Sequence, residues 1–167
     1  RGLTRIHYGL EKIIYMGNLN SKRDWGHAKD YVYMQWLMLQ QELPEDFVIS
    51  TGKMITVRTF IELCSNKLGW NDKKGTNGII WEGEGINEIG RRADTGEIVI
   101  RVDPRYFRPT EVEELLGDSS KARKKLYWEP KISIEDLISE MIDEDSKESQ
   151  KESFLKNQGF SVLTSKE

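Results

Sequence analysis

The chain has 167 residues, enough for one domain of ordinary size with a real apolar core, and its five Trp, six Tyr and five Phe exclude wholesale disorder. Its 25 Lys and Arg against 28 Asp and Glu leave a net charge of -3, which argues against a nucleic-acid binder. A single cysteine, Cys64, excludes an internal disulfide framework, and no apolar run is long enough to span a bilayer. No signal-peptide pattern opens the sequence, so a soluble, cytoplasmic protein away from membranes is expected. The first residue is Arg1 rather than Met, which reads as a processed or excised piece of something longer.

Leu3, Ile6 and Leu10 recur at helical spacing and predict a helix over residues 3–12. Ile13, Ile14, Tyr15 and Met16 predict a short buried strand, closed by the turn Gly17-Asn18-Leu19-Asn20. Residues 28–41 are helical in pattern. Tyr31, Met34 and Leu37 trace one face, and Val32, Trp36 and Leu39 widen it, which predicts a well-buried helix. Phe47, Val48 and Ile49 predict another strand. Thr56 can cap the next helix, whose apolar face is Val57, Phe60, Ile61, Cys64 and Leu68, and Gly69 ends it.

Residues 79–81 and 97–102 predict a hairpin-like pair of strands, joined by an excursion with Arg91, Arg92 and Asp94. Residues 103–109 form a loop stiffened by Pro104 and Pro109. Thr110 with Glu113 matches a capping box ahead of Val112, Leu115 and Leu116. A short basic helix follows over residues 120–126. Ser133 with Asp136 forms a second box, opening a helix through Ile142. Beyond Asp143 the apolar stripe fades, and residues 161–167 are expected to fray. Alternating helix and strand favours an α/β layer arrangement, with residues 1–160 as one domain.

Some residues can carry chemistry. Tyr8 and Lys12 would share a face of the predicted helix, but a partly exposed helix surface is the simpler account of them, and no glycine-rich cofactor loop stands beside the pair. Arg23, between a turn and a helix, can grip a phosphate with two N–H groups, or pair with Asp24 or Asp30. His27 reads as a helix-start residue rather than a metal ligand, since neither it nor His7 has companion ligands at metal-site spacing. Arg105 and Arg108 flank a proline-stiffened loop suited to an anion such as a diphosphate, and Glu111 can accept from a purine N–H or a ribose hydroxyl. Arg91 and Arg92 read as a solvated hairpin tip. Trp36 and Trp81 are core candidates, whereas Trp25 and Trp128 sit beside turns and are expected to be half exposed.

The run over residues 17–32, centred on Arg23-Asp24-Trp25-Gly26-His27-Ala28-Lys29-Asp30, resembles the GDP-mannose 4,6-dehydratase family of the extended short-chain dehydrogenases/reductases. Residues 36–41, 44–52 and 116–118 resemble it too, as does Asp103-Pro104-Arg105-Tyr106-Phe107-Arg108-Pro109 with Thr110, Glu111 and Val112. The resemblance implies conversion of GDP-mannose to GDP-4-keto-6-deoxymannose with a tightly held NADP. It implies that Arg23 contacts the diphosphate, that Arg108 is a second substrate-gripping arginine and that Glu111 lies near the guanosine. Arg105 and Asn18 are weaker correspondences of the same kind. Tyr8 and Lys12 do not match the family's catalytic pair.

The resemblance further implies an α/β Rossmann-type fold reduced to its carboxy-terminal substrate-binding part, with the cofactor-binding part missing. The strands at Ile13 and Phe47 would then be edge or satellite strands of a larger parallel sheet. Such a chain would hold no NADP by itself, would be inactive alone, and would need a homo-oligomer or a missing amino-terminal portion to cover its apolar surface. The rival readings are a self-standing nucleotide-binding module and a purely structural domain.

Overall fold

A computed structural model of the chain describes residues 1–75, 77–111 and 114–162. The capping box at Thr110 depends on Val112 and Glu113, which lie outside the described residues, as does most of the expected frayed tail. The chain forms two compact units. Unit 1 comprises Arg1–Asn18, Ile61–Arg108 and the chain from Ser139; unit 2 comprises Leu19–Phe60 and Pro109–Ile138.

Unit 1 contains α1 (Gly2–His7), β1 (Ile14–Met16), β4 (Ile79–Glu82), β5 (Ile89–Arg92) and β6 (Ile98–Val102). Unit 2 contains β2 (Lys22–Asp24), α2 (Ala28–Leu39), β3 (Met54–Thr56) and α4 (Ser120–Leu126). Two helices, α3 (Val57–Lys67) and α5 (Ile134–Asn157), run from unit 2 into unit 1.

The sheet of unit 1 has the order β1-β6-β5-β4. β1 pairs in parallel with β6, Ile14 opposite Ile100, while β6–β5 and β5–β4 are antiparallel. Val99 and Ile100 of β6 are buried at its centre. β1 lies at the edge of the sheet and pairs within the chain, as an edge strand was expected to lie, but the expectation that this sheet is parallel is corrected, because it is mixed. The expected hairpin of residues 79–81 with 97–102 is corrected too, because β5 lies between the two strands. Arg91 and Arg92 belong to that strand rather than to a tip. Arg91 Nε donates to both carboxylate oxygens of Glu82 at 3.0 Å, and Arg92 forks onto Asp94 at 2.9 and 2.6 Å. A strand whose side chains end on carboxylates leaves little apolar alternation to read.

α1 is shorter than its pattern. It ends at His7, Tyr8 takes the C-cap, and Lys12 lies beyond it, so Tyr8 and Lys12 share no helix face. The buried Thr4 hydroxyl bonds Ser149 Oγ on α5 at 3.1 Å, and Ser153 Oγ donates to the Tyr8 carbonyl at 2.9 Å. Polar contacts of this kind carry α5 past the point where its apolar stripe fades. Trp70 is fully buried, and its Nε1–H donates to His7 Nδ1 at 2.8 Å. Burial pushes the Cys64 thiol up to about 11, which fits a core side chain rather than a nucleophile.

In unit 2, β2 and β3 form an antiparallel ribbon, with Arg23 opposite Ile55. Thr56 starts α3 as expected, its Oγ1 accepting from the Thr59 N–H at 3.0 Å; at the far end Gly69 has a φ of 76°, a backbone that favours glycine. Phe47, Val48 and Ile49 form no strand. Phe47 and Ile49 instead pack on a cluster of Met34, Ala122, Leu126 and Trp128. Trp128, expected half exposed, is fully buried there.

The expectation of a well-buried α2 is corrected. Met34 is buried, but Trp36 is 53% and Leu39 82% exposed, and Trp36 stacks on Tyr33. Only one stripe of an apolar-all-round helix meets the cluster. Ser133 caps α5 as expected, accepting from the Asp136 N–H at 3.0 Å. Among the described residues no helix is long and apolar enough to cross a membrane.

Candidate functional site

Arg23 lies on β2, and its environment is fixed by the residues around it. Asp24 accepts from the Thr51 N–H (2.9 Å), the Thr51 hydroxyl (2.6 Å) and the Gly52 N–H (2.9 Å), tying the strand to the turn that leads into β3. His27 is buried and caps α2, its Nδ1 accepting from the Lys29 N–H at 3.0 Å, as a helix-start residue should. Asp30 accepts from the N–H groups of Lys131 and Ile132, both at 3.0 Å. With both nearby aspartates holding backbone, Arg23 meets a more distant acid. Its Nη2 donates to Glu111 Oε1 at 2.6 Å across 88 residues of sequence, and its Nη1 donates to the Lys22 carbonyl at 2.8 Å. The two side chains are 30% and 18% exposed. A second bridge, Lys22 to Glu114 at 2.5 Å, joins the same two segments.

The other three predicted residues lie in unit 1. The Asn18 amide clamps the Arg108 backbone in both directions. Its Nδ2 donates to the Arg108 carbonyl at 2.9 Å, and the Arg108 N–H donates to its Oδ1 at 2.8 Å. Gly17 permits this approach, since a Cβ there would sit 2.3 Å from the Tyr106 carbonyl oxygen. Arg105 is spread over Asp103, with Nη2 to Oδ2 at 2.7 Å, and its side chain is 73% exposed. The Arg105 guanidinium holds the Asp103 carboxyl below the usual carboxylate range. The structure thus brings Arg23 to Glu111 in one unit, and Asn18, Arg105 and Arg108 together in the other.

Unit 2 also holds a cavity of ≈ 800 Å³ that contains none of the five predicted residues. Trp25, Lys53, Arg123 and Lys131 line it. Trp25 stacks on Phe60 at 4.2 Å, and its buried Nε1–H has no partner. Sequence offered no signal for this cavity beyond the position of Trp25 beside a turn.

A family model described as GDP-mannose 4,6 dehydratase matches residues 1–141. The chain belongs to that family. It is 48% identical over 177 residues to a GDP-mannose 4,6-dehydratase of Vibrio cholerae, covering 100% of this chain and 46% of that protein. Against the GDP-mannose 4,6 dehydratase of Homo sapiens it is 46% identical over 145 residues, covering 87% and 37%. The chain spans less than half of the length of these curated relatives.

Among solved structures it resembles RMD from Pseudomonas aeruginosa complexed with NADPH, with a TM-score of 0.64 and 16% identity over 87% of this chain and 40% of that one. It also resembles the UDP-glucose 4-epimerase of Thermotoga maritima with UDP-glucose, with a TM-score of 0.59 and 23% identity over 87% and 38%. At such identities the likeness is one of fold.

These matches correct two expectations. The resemblance was expected to be confined to a carboxy-terminal substrate-binding part, and the fold to lack its cofactor-binding part. The dehydratase family model begins at the first residue and runs to residue 141, so membership extends over most of the chain. The α/β fold is therefore described by the layers it has, a four-stranded mixed sheet and a two-stranded ribbon with their helices, and not as a fold with a part removed.

Proposed function

We propose that this protein acts on GDP-mannose in the dehydratase reaction of its family, yielding GDP-4-keto-6-deoxymannose as a lyase. Within unit 2, Arg23 holds the diphosphate and Glu111 accepts from the guanosine; Arg108, in unit 1, is a separate candidate for gripping the substrate. The observation that carries this reading is the pairing of Arg23 with Glu111, a guanidinium and a carboxylate held together over 88 residues of sequence. A guanidinium fork matches two oxygens of a phosphate, and a carboxylate matches the adjacent N–H groups of guanine. Asn18 fixes the backbone that carries Arg108. Arg105, spread over Asp103, contributes a further positive charge at the loop surface.

NADP is the hydride carrier this reaction requires, and the fold likeness to a protein solved with NADPH supports it. Bound NADP would supply hydride-transfer chemistry. Among the described residues, β1 and β4 are the strands that run directly into a glycine, Gly17 and Gly83, and neither turn fits a dinucleotide phosphate: after Gly83 the chain makes only a three-residue 3-10 turn, Gly85–Asn87, before β5. The Tyr106 carbonyl fills the space beside Gly17, and the chain continues into a strand rather than a helix. The work assigned to these side chains is to bind and orient the nucleotide sugar.

Isothermal titration and a turnover assay test the reading. GDP-mannose and GDP should bind, UDP-glucose should not, and Arg23→Ala should weaken GDP at least about tenfold, the scale of one lost charged hydrogen bond. Tight GDP binding with no conversion of GDP-mannose in the presence of NADP would favour a nucleotide-binding module instead.

A further inference from the structure

We propose that the cavity of unit 2 is a second binding site, lined by neither Arg23 nor Glu111, that takes an organic phosphate with an apolar body. It goes beyond the GDP-sugar reading and does not rest on it.

Two kinds of unused donor coincide at this cavity. The first is an indole. Three of the chain's five tryptophans donate their Nε1–H within the protein, Trp70 to His7 and Trp81 to Glu62 at 2.8 Å, and Trp128 to the Asp30 carbonyl at 3.0 Å. Trp36 is exposed. Trp25 lines the cavity, and its buried Nε1–H has no acceptor. A buried donor without a partner costs stability, which points to an acceptor supplied from outside the chain.

The second is positive charge. Lys121 and Lys125, one turn apart on α4, both end on Glu45, at 2.9 and 2.6 Å. Arg123 of the same helix instead lines the cavity, where its Nη2 donates to the Thr51 carbonyl at 3.3 Å. Lys53 and Lys131 line it too, and among the described residues none of these three cations is paired with a carboxylate. Glu129 and Glu135 complete the charged lining, so three cations stand against two carboxylates and the balance is positive.

The remaining walls define the rest of the ligand. Met54, Ile55 and Ile134 are half-buried, and Phe60 stacks on Trp25 at 4.2 Å and holds the plane of the indole. Apolar walls of this kind receive the body of a small molecule, for which ≈ 800 Å³ is ample. A guanidinium fork with two ammonium groups suits the double charge and several oxygens of a phosphate; a carboxylate needs only one such cation.

Proton–nitrogen correlation spectra of the whole chain test this, with phenyl phosphate as the probe and Trp25→Phe to assign the signal among the five tryptophans. Phenyl phosphate should shift the Trp25 indole N–H and saturate. Inorganic phosphate, which lacks the apolar body, and phenol, which lacks the charge, should each bind at least about tenfold more weakly. Arg123→Gln should weaken phenyl phosphate about tenfold, and Lys53→Gln, at an exposed side chain, about threefold. The ligand series uses the unaltered protein, so it stands even where Arg123→Gln folds poorly. An excess of GDP should leave phenyl phosphate binding unchanged. An unmoved Trp25 signal, as water alone in the cavity would give, overturns the site, and so does inorganic phosphate binding as tightly as phenyl phosphate. Displacement of phenyl phosphate by GDP overturns its separateness and leaves the GDP-sugar reading standing. Absence of GDP binding overturns that reading alone.

Discussion

Unit 1 is held by a sheet, whereas unit 2 is held by side chains that bond to distant backbone. In unit 1 four strands satisfy one another's amides, and Val99 and Ile100 are buried along the central strand. In unit 2 the only strands among the described residues are β2 and β3. There Asp24 accepts three bonds from Thr51 and Gly52, Asp30 accepts two from Lys131 and Ile132, and Ser50 Oγ donates to the Gly117 carbonyl. Long-range ion pairs occur in both units: Arg5 reaches Glu152 across 147 residues in unit 1, and Arg23 reaches Glu111 across 88 in unit 2. Where no such sheet orders the chain, the carboxylates of Asp24 and the buried Asp30 take over that work, and a polar residue becomes as structural as an apolar one.

Substitutions in unit 2 test this contrast. The largest effect is expected from Trp128→Ala, which empties a fully buried site and removes the bond from Nε1 to the Asp30 carbonyl at 3.0 Å. It should cost about 4 kcal/mol in urea unfolding. Asp30→Ala should come close behind, at about 3 kcal/mol, because it strands two backbone N–H groups. A loss near that expected for an exposed aspartate would mean that carboxylates do not organise unit 2. Asn18→Ala should cost only about 1 kcal/mol, since the sheet of unit 1 persists without the clamp. It should nonetheless weaken GDP-mannose binding, because Arg108 loses its backbone anchor. Unchanged binding would separate Arg108 from the site.

Local signals in the sequence were legible because they act over three or four residues. Thr56 and Ser133 cap their helices, Gly69 ends one, and the stretches at Ile14 and Ile98 are strands. What could not be read depends on distant partners. β5 is concealed because Arg91 and Arg92 end on Glu82 and Asp94 rather than in a core. Phe47 and Ile49 look like strand residues but pack on α2 and α4 from a loop. The apolar pattern of α2 gives no sign of which stripe is covered, so Trp36 was placed in a core it does not join. The meeting of Arg23 with Glu111 was not legible, since no spacing rule spans 88 residues.

The smallest expected effect tests the sheet-built side of the comparison. His7 sits at the end of α1, its Nδ1 accepting from Trp70 Nε1–H at 2.8 Å, with the edge of Tyr8 nearby and the Arg92 guanidinium 4.4 Å above the Trp70 ring. Burial first, and the Arg92 charge second, push the imidazole below its ordinary 6.5, while Asp94 opposes them. The unfolded chain then takes up this proton more readily than the folded one. The contribution to stability is whole above 6.5 and is lost as pH falls through the lower folded value. Protonation would also place an N–H where Trp70 needs an acceptor. Unfolding midpoints should therefore decline from about pH 7 to about pH 5.5, a window above the carboxylates of Asp94 and Glu152, which titrate below their usual ranges. His7→Gln keeps an acceptor for Trp70 but cannot titrate, so its midpoint should stay flatter over that window. Parallel curves for the two proteins would show that unit 1 is indifferent to this contact, and that its sheet alone holds α1 in place.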